Sequence, residues 1–184
     1  MHDQDMTNHP LDGPAVAGRL IMLRMVCRVM IGGLLTITFL IVCVVWFALD
    51  GQPIAGNAVQ LGGISVVTLG AIATAMLTPV VAMLISGIVS QNGLRTLSTS
   101  ATPPDAEKVL NVFAAATFAE FVIAEAVGSV NALLYHFTAD AGLLVAVGGL
   151  SGFMIARFPT IGRVRRWFDT ATEEIDRNRV NLQG

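Results

Sequence analysis

The sequence predicts an all-α integral membrane protein, in which a four-helix bundle is followed by a C-terminal cytoplasmic amphipathic helix. Of the 184 residues, 54% are hydrophobic and 13% are charged, and that charged fraction is about half the usual value for a soluble domain. Four long apolar segments separated by polar or turn-forming residues predict the spans, and a last segment with helical apolar spacing predicts the amphipathic helix.

Three regions follow from the distribution of polar residues. Residues 1–18 are polar, acidic and rich in Pro and Gly, which predicts a disordered N-terminal arm. Residues 19–158 contain the bundle, and residues 159–184 form the predicted amphipathic tail. Such a helix either lies on the membrane surface or packs under the bundle. Its apolar residues recur at a helical period, namely Ile161, Val164, Phe168, Ala171 and Ile175.

The four predicted spans cover about residues 25–49, 61–90, 109–137 and 141–157. The first span has arginines at its beginning and Trp46 at its end. Arginine side chains can extend to one membrane interface, and tryptophans are enriched at the interfaces, so the two ends fit the two sides of a bilayer. Pro79 predicts a kink in the second span. The polar segment 91–101 predicts a loop between the second and third spans.

The positions of the basic residues predict the topology. All eleven Lys and Arg lie near the start of the first span, around the middle loop, or in the C-terminal region, and segments 50–60 and 138–140 contain none. Cytoplasmic loops carry the excess of Lys and Arg in membrane proteins. We therefore expect both termini and the middle loop to be cytoplasmic, in a protein of the cytoplasmic (inner) membrane.

The third span contains the candidate functional residues of this chain. Thr102 and Pro103 predict the start of its helix, and from Val109 to Phe137 no residue breaks it. Polar side chains inside a span are costly, so they face other helices or a hydrated cavity and are candidate functional residues. Those of this span are Glu120, Glu125, Asn131 and His136.

Glu120 is interpreted as one partner of a structural ion pair. Arg24 and Arg28 enter the membrane from the same side, and charged groups within spans commonly pair with each other. The sequence therefore predicts that Glu120 binds one of these two arginines.

Glu125 lies close to the predicted middle of the bilayer, where no span has a basic residue at similar depth. It is therefore protonated, hydrogen-bonded to another helix, or hydrated. One hypothesis makes it a packing element that binds other helices through hydrogen bonds. The other makes Glu125 an ion-binding group, with Asn131 as the second polar residue of the site.

Small residues at a spacing of four mark the surfaces expected to pack against other helices. Such residues let two backbones approach closely, which favours helix association where lipid removes the hydrophobic driving force. These residues are Gly70, Thr74 and Thr78 in the second span, Gly128 in the third, and Gly148 and Gly152 in the fourth.

The second and third spans resemble the hairpin of the c subunit (proteolipid) of the ATP synthase rotor ring. The resemblance comprises the segment L-G-G-I-S-V-V-T-L-G at 61–70, a polar loop, and the segment Ala124-Glu125-Ala126. It implies that Glu125 is the ion-carrying carboxylate. More broadly, the plan of the chain resembles small, functionally uncharacterised four-span bacterial membrane proteins with a glutamate in the third span. That second resemblance implies an architecture and no activity.

No nucleophile–base set, phosphate loop, metal-ligand spacing or dinucleotide fingerprint occurs in the sequence. We therefore expect no enzymatic activity, no cofactor or metal, and no nucleic-acid partner. The predicted function is that of a noncatalytic accessory or assembly subunit that binds other transmembrane helices. Its expected partners are membrane lipids and either copies of itself or the subunits of a larger membrane complex. The alternative is a c-subunit-like protein that translocates protons or cations through Glu125.

Overall fold

The computed structural model describes residues 10–52, 60–61, 64–100 and 104–183. Within these ranges the chain is helical, as predicted, apart from a two-stranded antiparallel hairpin of β1 (Gln60–Leu61) and β2 (Ile64–Ser65). A 3-10 turn, Pro10–Asp12, precedes the first α-helix. The α-helices are α1 (Pro14–Ala48), α2 (Val66–Ser98), α3 (Ala106–Thr138), α4 (Ala141–Ala156) and α5 (Ile161–Gln183).

Three of these helices, α1, α2 and α3, are each long and apolar enough to cross a membrane. A fourth span is counted when α4 and α5, which are separated by a short break, are taken together. The 16 residues of α4 alone extend roughly 24 Å, less than the ~30 Å of a bilayer's hydrocarbon core.

The chain divides into two compact units. The terminal unit consists of Met1–Val26, Ile85–Phe118 and Pro159–Gly184, and the central unit consists of Cys27–Leu84 and Ala119–Phe158. Helices α1, α2 and α3 each contribute residues to both units.

The terminal unit has a core to which α2, α3 and α5 contribute. The apolar side chains of α5 are buried from Val164 to Ile175, and Phe168, Ala171 and Ile175 belong to this core, whereas Ile161 at the start of the helix is 51% exposed. Arg19 of α1 forms an ion pair with Glu107 of α3, and its Nη1 also donates to Asn111 Oδ1 at 2.6 Å. The buried core residues are Leu94, Val109, Phe168, Ala171 and Ile175.

The central unit has a core that joins four helices. Val45 of α1, Ala71 of α2, Tyr135 of α3, and Leu143 and Ala146 of α4 are buried in one cluster. Beside it, Trp46 Nε1 donates a hydrogen bond to the Tyr135 hydroxyl at 3.2 Å. This cluster fixes the ends of α1 and α3 against the beginnings of α2 and α4.

The prediction of a disordered arm up to residue 18 is wrong for its last part. Helix α1 begins at Pro14, where the fixed backbone of proline suits the first turn of a helix. Val16, two residues further on in the same turn, is 7% exposed, so this turn is held by packing. Residues 1–9 of the predicted arm lie outside the described residues.

The prediction of a loop at 91–101 is also wrong, because α2 continues to Ser98. The segment is polar in composition, yet Leu94 and Ser98 are buried and one turn apart, which is a helical pattern. The Ser98 hydroxyl donates to Arg95 O at 2.8 Å within the last turn. Helix α2 also passes through Pro79 without ending.

Helix α3 begins later than predicted and ends at Thr138, one residue after the predicted end. Residues 101–103, including the predicted cap Thr102, lie outside the described residues. Asp105 acts as the cap instead, since its Oδ1 accepts a hydrogen bond from Lys108 N at 2.9 Å.

Candidate functional site

Glu120 and Arg157 form a two-point ion pair in the central unit. Arg157 Nε donates to Glu120 Oε2 at 2.8 Å, and Arg157 Nη2 donates to Glu120 Oε1. The Glu120 side chain is 3% exposed and that of Arg157 is 34% exposed. A carboxylate can remain charged in such an environment only if its partner satisfies it, as this planar guanidinium does.

Glu120 forms an ion pair as predicted, but the prediction of Arg24 or Arg28 as its partner is wrong. Arg24 Nε instead donates to the carbonyl oxygen of Pro159 at 2.9 Å, within the terminal unit. The guanidinium of Arg28 lies 5.8 Å from the centroid of the Phe158 ring, in cation–π contact within the central unit.

The correct partner follows from the α3–α4 hairpin. Ala139, with φ of 53°, and Asp140 make the turn between the two helices. Counted from this turn, Glu120 lies roughly 27 Å back along α3, and Arg157 lies roughly 26 Å forward at the C-cap of α4. The two residues therefore stand at the same level of an antiparallel pair, and this spacing was readable in the sequence.

Asp140 has two structural roles that the sequence did not predict. Its Oδ1 accepts a hydrogen bond from Gly142 N at 3.0 Å, which caps α4. Its Oδ2 accepts a hydrogen bond from the Thr68 hydroxyl at the start of α2. The carboxylate of Asp140 thus fixes α2 to the α3–α4 turn.

Glu125 lies on the side of α3 that meets α1. It is half-buried, and its Oε1 is 3.8 Å from the position that a Cβ on Gly33 would occupy. Within the described part of the chain, no residue forms an ion pair or hydrogen bond with this carboxylate. The absence of a side chain at Gly33 leaves the space in which the carboxylate sits.

Asn131 lies on a different side of α3 from Glu125. The two residues are six positions apart, which places them roughly 9 Å apart along the axis and roughly 120° apart around it. Asn131 is 2% exposed, and its Nδ2 has no hydrogen-bond partner among the residues that the structure describes. The structure therefore does not bring Glu125 and Asn131 together into one ion-binding site.

Asn131 lines a groove between α2 and α3, which we call the α2–α3 groove. Its volume is about 510 Å³, and small residues on both helices leave this space. The residues of the groove are Val67, Gly70, Ala71 and Thr74 of α2, and Ala126, Val127, Val130, Asn131 and Leu134 of α3.

The residues predicted to mark helix-packing surfaces fall into two groups. Gly128 and Thr78 are buried, and the Cβ position of Gly128 lies 2.9 Å from Leu34 Cδ2 of α1. By contrast, the predicted packing residues Gly70, Thr74, Gly148 and Gly152 are exposed.

The exposed glycines of α4 form one surface, which we call the α4 glycine face: Gly148, Gly149 and Gly152. Among the residues that the structure describes, none has an atom within 4 Å of the Cβ position of these three glycines. The opposite side of α4 is buried and apolar, so this helix has one side committed to the protein and one side free.

The described residues contain no group of three or more His, Cys, Asp or Glu side chains that can hold a metal ion. Comparison of the chain with protein-family models, with curated proteins and with solved structures found no match.

Proposed function

We propose that this chain is a noncatalytic integral membrane protein that acts as an accessory or assembly subunit by binding other transmembrane helices. The α4 glycine face is the observation that carries the proposal. It is an exposed surface on a helix whose other side is fully packed.

The physical reason is the cost and benefit of glycine in a spanning helix. An interior glycine destabilises a helix by about 1 kcal/mol relative to alanine, so the three glycines lower the stability of α4 itself. Binding of another helix at this surface would account for their presence. In lipid, helices associate through close packing, and small residues permit it. Val145 and Ile155, which are 70% and 59% exposed, lie before and after the glycines along the helix. The glycines between them let a partner helix approach the backbone of α4 closely.

Insertion in the membrane is supported by the three long apolar helices, and up to four spans are counted with α4 and α5. The charge distribution supports cytoplasmic termini, because all Lys and Arg except Arg28 and Arg157 belong to the terminal unit. We propose the cytoplasmic membrane as the location, with both termini on its cytoplasmic side.

The test is association in a membrane after glycine-to-leucine substitution. Full-length protein is labelled in two colours, reconstituted in vesicles and examined for energy transfer, and complexes purified in mild detergent are identified by mass spectrometry. Gly148→Leu and Gly152→Leu should abolish association with itself or with a co-purified membrane protein. Gly87→Leu is the matched control, because Gly87 is an exposed glycine of α2 with no atom near its Cβ position. If all three variants associate equally, the proposal fails.

A second candidate function is proton or cation translocation at Glu125. It is favoured by one observation, namely a carboxylate within a long apolar helix that has no ion-pair partner among the described residues. It is disfavoured by the position of Asn131, which lines the α2–α3 groove, away from the side of α3 on which Glu125 meets Gly33.

A further inference from the structure

The level at which a membrane surface crosses the terminal unit follows from the lengths of α1 and α3. Trp46 is 64% exposed and donates a hydrogen bond to the Tyr135 hydroxyl, and exposed tryptophans are typical of the boundary between hydrocarbon and headgroups. A hydrocarbon core of ~30 Å corresponds to roughly 20 helical residues. Counted back from Trp46 and Tyr135, the opposite boundary falls at about Val26 of α1 and Ala115 of α3. Both residues belong to the terminal unit.

The exposed apolar side chains of the terminal unit lie near this level. Such side chains are unfavourable in water and are suited to contact with lipid. At the other end of the unit, where α2 and α5 end, Val180 is the one exposed large apolar side chain among the residues that the structure describes. Those near the boundary are Ile21, Met22, Met25, Ile85, Ile88, Phe118 and Ile161.

Four arginines of the terminal unit also lie at this boundary. Arg24 lies just before it on α1, and its Nε donates to Pro159 O at 2.9 Å, which brings the beginning of α5 to the same level. The centroids of the Phe113 and Trp167 rings are 5.1 Å apart, so the first two turns of α5 stay close to the level of Ala115. We call the arginines of this region the boundary arginines: Arg24, Arg163, Arg165 and Arg166.

The sequence places no acidic residue at the level of the boundary arginines. The segments 20–26 of α1, 85–94 of α2 and 109–118 of α3 contain no Asp or Glu. In α5, residues 161–168 carry three arginines and no acidic residue, whereas residues 169–183 carry four acidic residues and two arginines. Asp169, the first of these acidic residues, lies one turn beyond Arg165. The charge of α5 is thus divided along its axis, +3 followed by −2, as expected for a helix that leaves an anionic membrane surface.

We propose that the boundary arginines bind the headgroups of anionic phospholipids in the cytoplasmic leaflet. Arg165 and Arg166 are exposed and make the principal contacts, and Arg24 and Arg163 are half-buried at the same level. This inference rests on the proposed insertion in the membrane with cytoplasmic termini. It is independent of the helix-binding function, which uses α4.

An anionic lipid matches this surface in both charge and polarity. A guanidinium donates hydrogen bonds to phosphate oxygens in a fixed planar geometry, and the cytoplasmic leaflet has the negative surface potential that attracts basic residues near a span. The exposed apolar side chains beside the arginines, such as Met25 and Ile161, contact the acyl chains of the same lipids. Free phosphate or a nucleic acid offers these side chains no apolar partner. An acidic segment of another protein is the remaining alternative, and it is one outcome of the test.

The experiment compares two lipids with the same acyl chains and different headgroup charge. The full-length protein in mild detergent is titrated with dioleoyl phosphatidylglycerol, which is anionic, or with dioleoyl phosphatidylcholine, which is zwitterionic. Binding of single lipids is followed by native mass spectrometry. The wild type should bind the anionic lipid roughly fivefold more tightly or better, which corresponds to about 1 kcal/mol from one arginine. This preference should decrease as salt is added, because the contacts are electrostatic.

Three double variants locate the contact. Arg165→Gln with Arg166→Gln should remove most of the preference, and Arg165→Lys with Arg166→Lys should keep most of it, because the charge remains. Arg95→Gln with Arg177→Gln is the matched control, since these exposed arginines lie at the other end of the terminal unit and the variant loses the same two charges. It should keep the preference of the wild type. Cooperative thermal unfolding shows that each variant is folded.

Two results would overturn the lipid proposal. One is equal binding of both lipids by the wild type, and the other is an equal loss of preference in the two glutamine variants, which would make it an effect of net charge. A wild type that shows no preference and crosslinks through position 166 to an acidic segment of another protein would assign the surface to that protein instead. Membranes washed at alkaline pH test insertion separately. A wild type that stays in the washed membranes and shows no lipid preference contradicts this inference alone, whereas a wild type that is released contradicts the proposed membrane location.

Discussion

Arg157 donates two hydrogen bonds to the carboxylate of Glu120 and thereby joins the C-terminal end of α4 to the middle of α3. At the other end of the same hairpin, Asp140 caps α4 and accepts a hydrogen bond from Thr68. Helix α4 has only 16 residues, so these two polar contacts hold both of its ends. The glycines between them are free to face outward.

The first prediction concerns the Glu120–Arg157 ion pair. Glu120→Gln and Arg157→Gln should each lower the free energy of unfolding by about 1–3 kcal/mol, because each leaves a charged partner unsatisfied. The double variant should lose less than the sum of the two single losses, since the two residues bind each other. The measurement is unfolding of the purified protein by a denaturing detergent in mixed micelles.

Arg28→Gln provides the control for this cycle, because the Arg28 guanidinium contacts the Phe158 ring. Its effect should add to that of Glu120→Gln. Additivity between Glu120 and Arg157, with coupling between Glu120 and Arg28, would show that the pairing predicted from sequence is the correct one.

The sequence predicted the elements of this protein better than their contacts. Apolar length and charge spacing define α1 to α4, and the periodicity from Val164 to Ile175 defines α5, because these signals are local. The segment 91–98 is helical despite its polar composition, because Leu94 and Ser98, one turn apart, are buried by packing that composition does not predict.

The candidate site was less predictable because its contacts join residues that are distant in the sequence. The pairing of Glu120 with Arg157 depends on the α3–α4 hairpin register, and assigning it to Arg24 or Arg28 relied on charge and side of the membrane alone. The six-residue spacing separates Glu125 and Asn131 around α3, but which helix each one faces depends on how the helices are rotated, and the sequence does not indicate that rotation.

A second prediction tests the close approach of α1 and α3. Gly128→Ala places a methyl group 2.9 Å from Leu34 Cδ2, and Leu34 is fully buried. Overpacking of this kind costs about 1–3 kcal/mol, which exceeds the gain of up to about 1 kcal/mol from helix propensity, so the free energy of unfolding should fall. Adding Leu34→Ala should cost less in this background than in the wild type, because the two changes share one space.

Gly148→Ala is the matched control on α4, where no atom lies near the added methyl group. It should raise the free energy of unfolding by up to about 1 kcal/mol through helix propensity. If Gly128→Ala and Gly148→Ala had the same effect in the same detergent unfolding assay, the contact between Gly128 and Leu34 would be absent.

The last prediction decides between helix binding and ion translocation, and it concerns Glu125. Glu125→Gln keeps the size of the side chain and removes its titratable proton. Because no described residue binds this carboxylate, the change should leave the free energy of unfolding within about 0.5 kcal/mol of the wild type. Association through the α4 glycine face should also be unchanged, since that surface lies on another helix.

Translocation at Glu125 predicts a different result. A hydrophobic carbodiimide should then modify Glu125 and spare Glu120, whose carboxylate is held by Arg157, and proton uptake by vesicles containing the protein should stop. Glu125→Gln and Glu125→Ala should abolish that uptake equally, because both remove the carrier group. We expect no uptake that depends on Glu125, since its carboxylate lies in the space at Gly33 and Asn131 belongs to the α2–α3 groove. A folded, associating Glu125→Gln protein that lacks a proton flux present in the wild type would reverse that conclusion and make ion translocation the function.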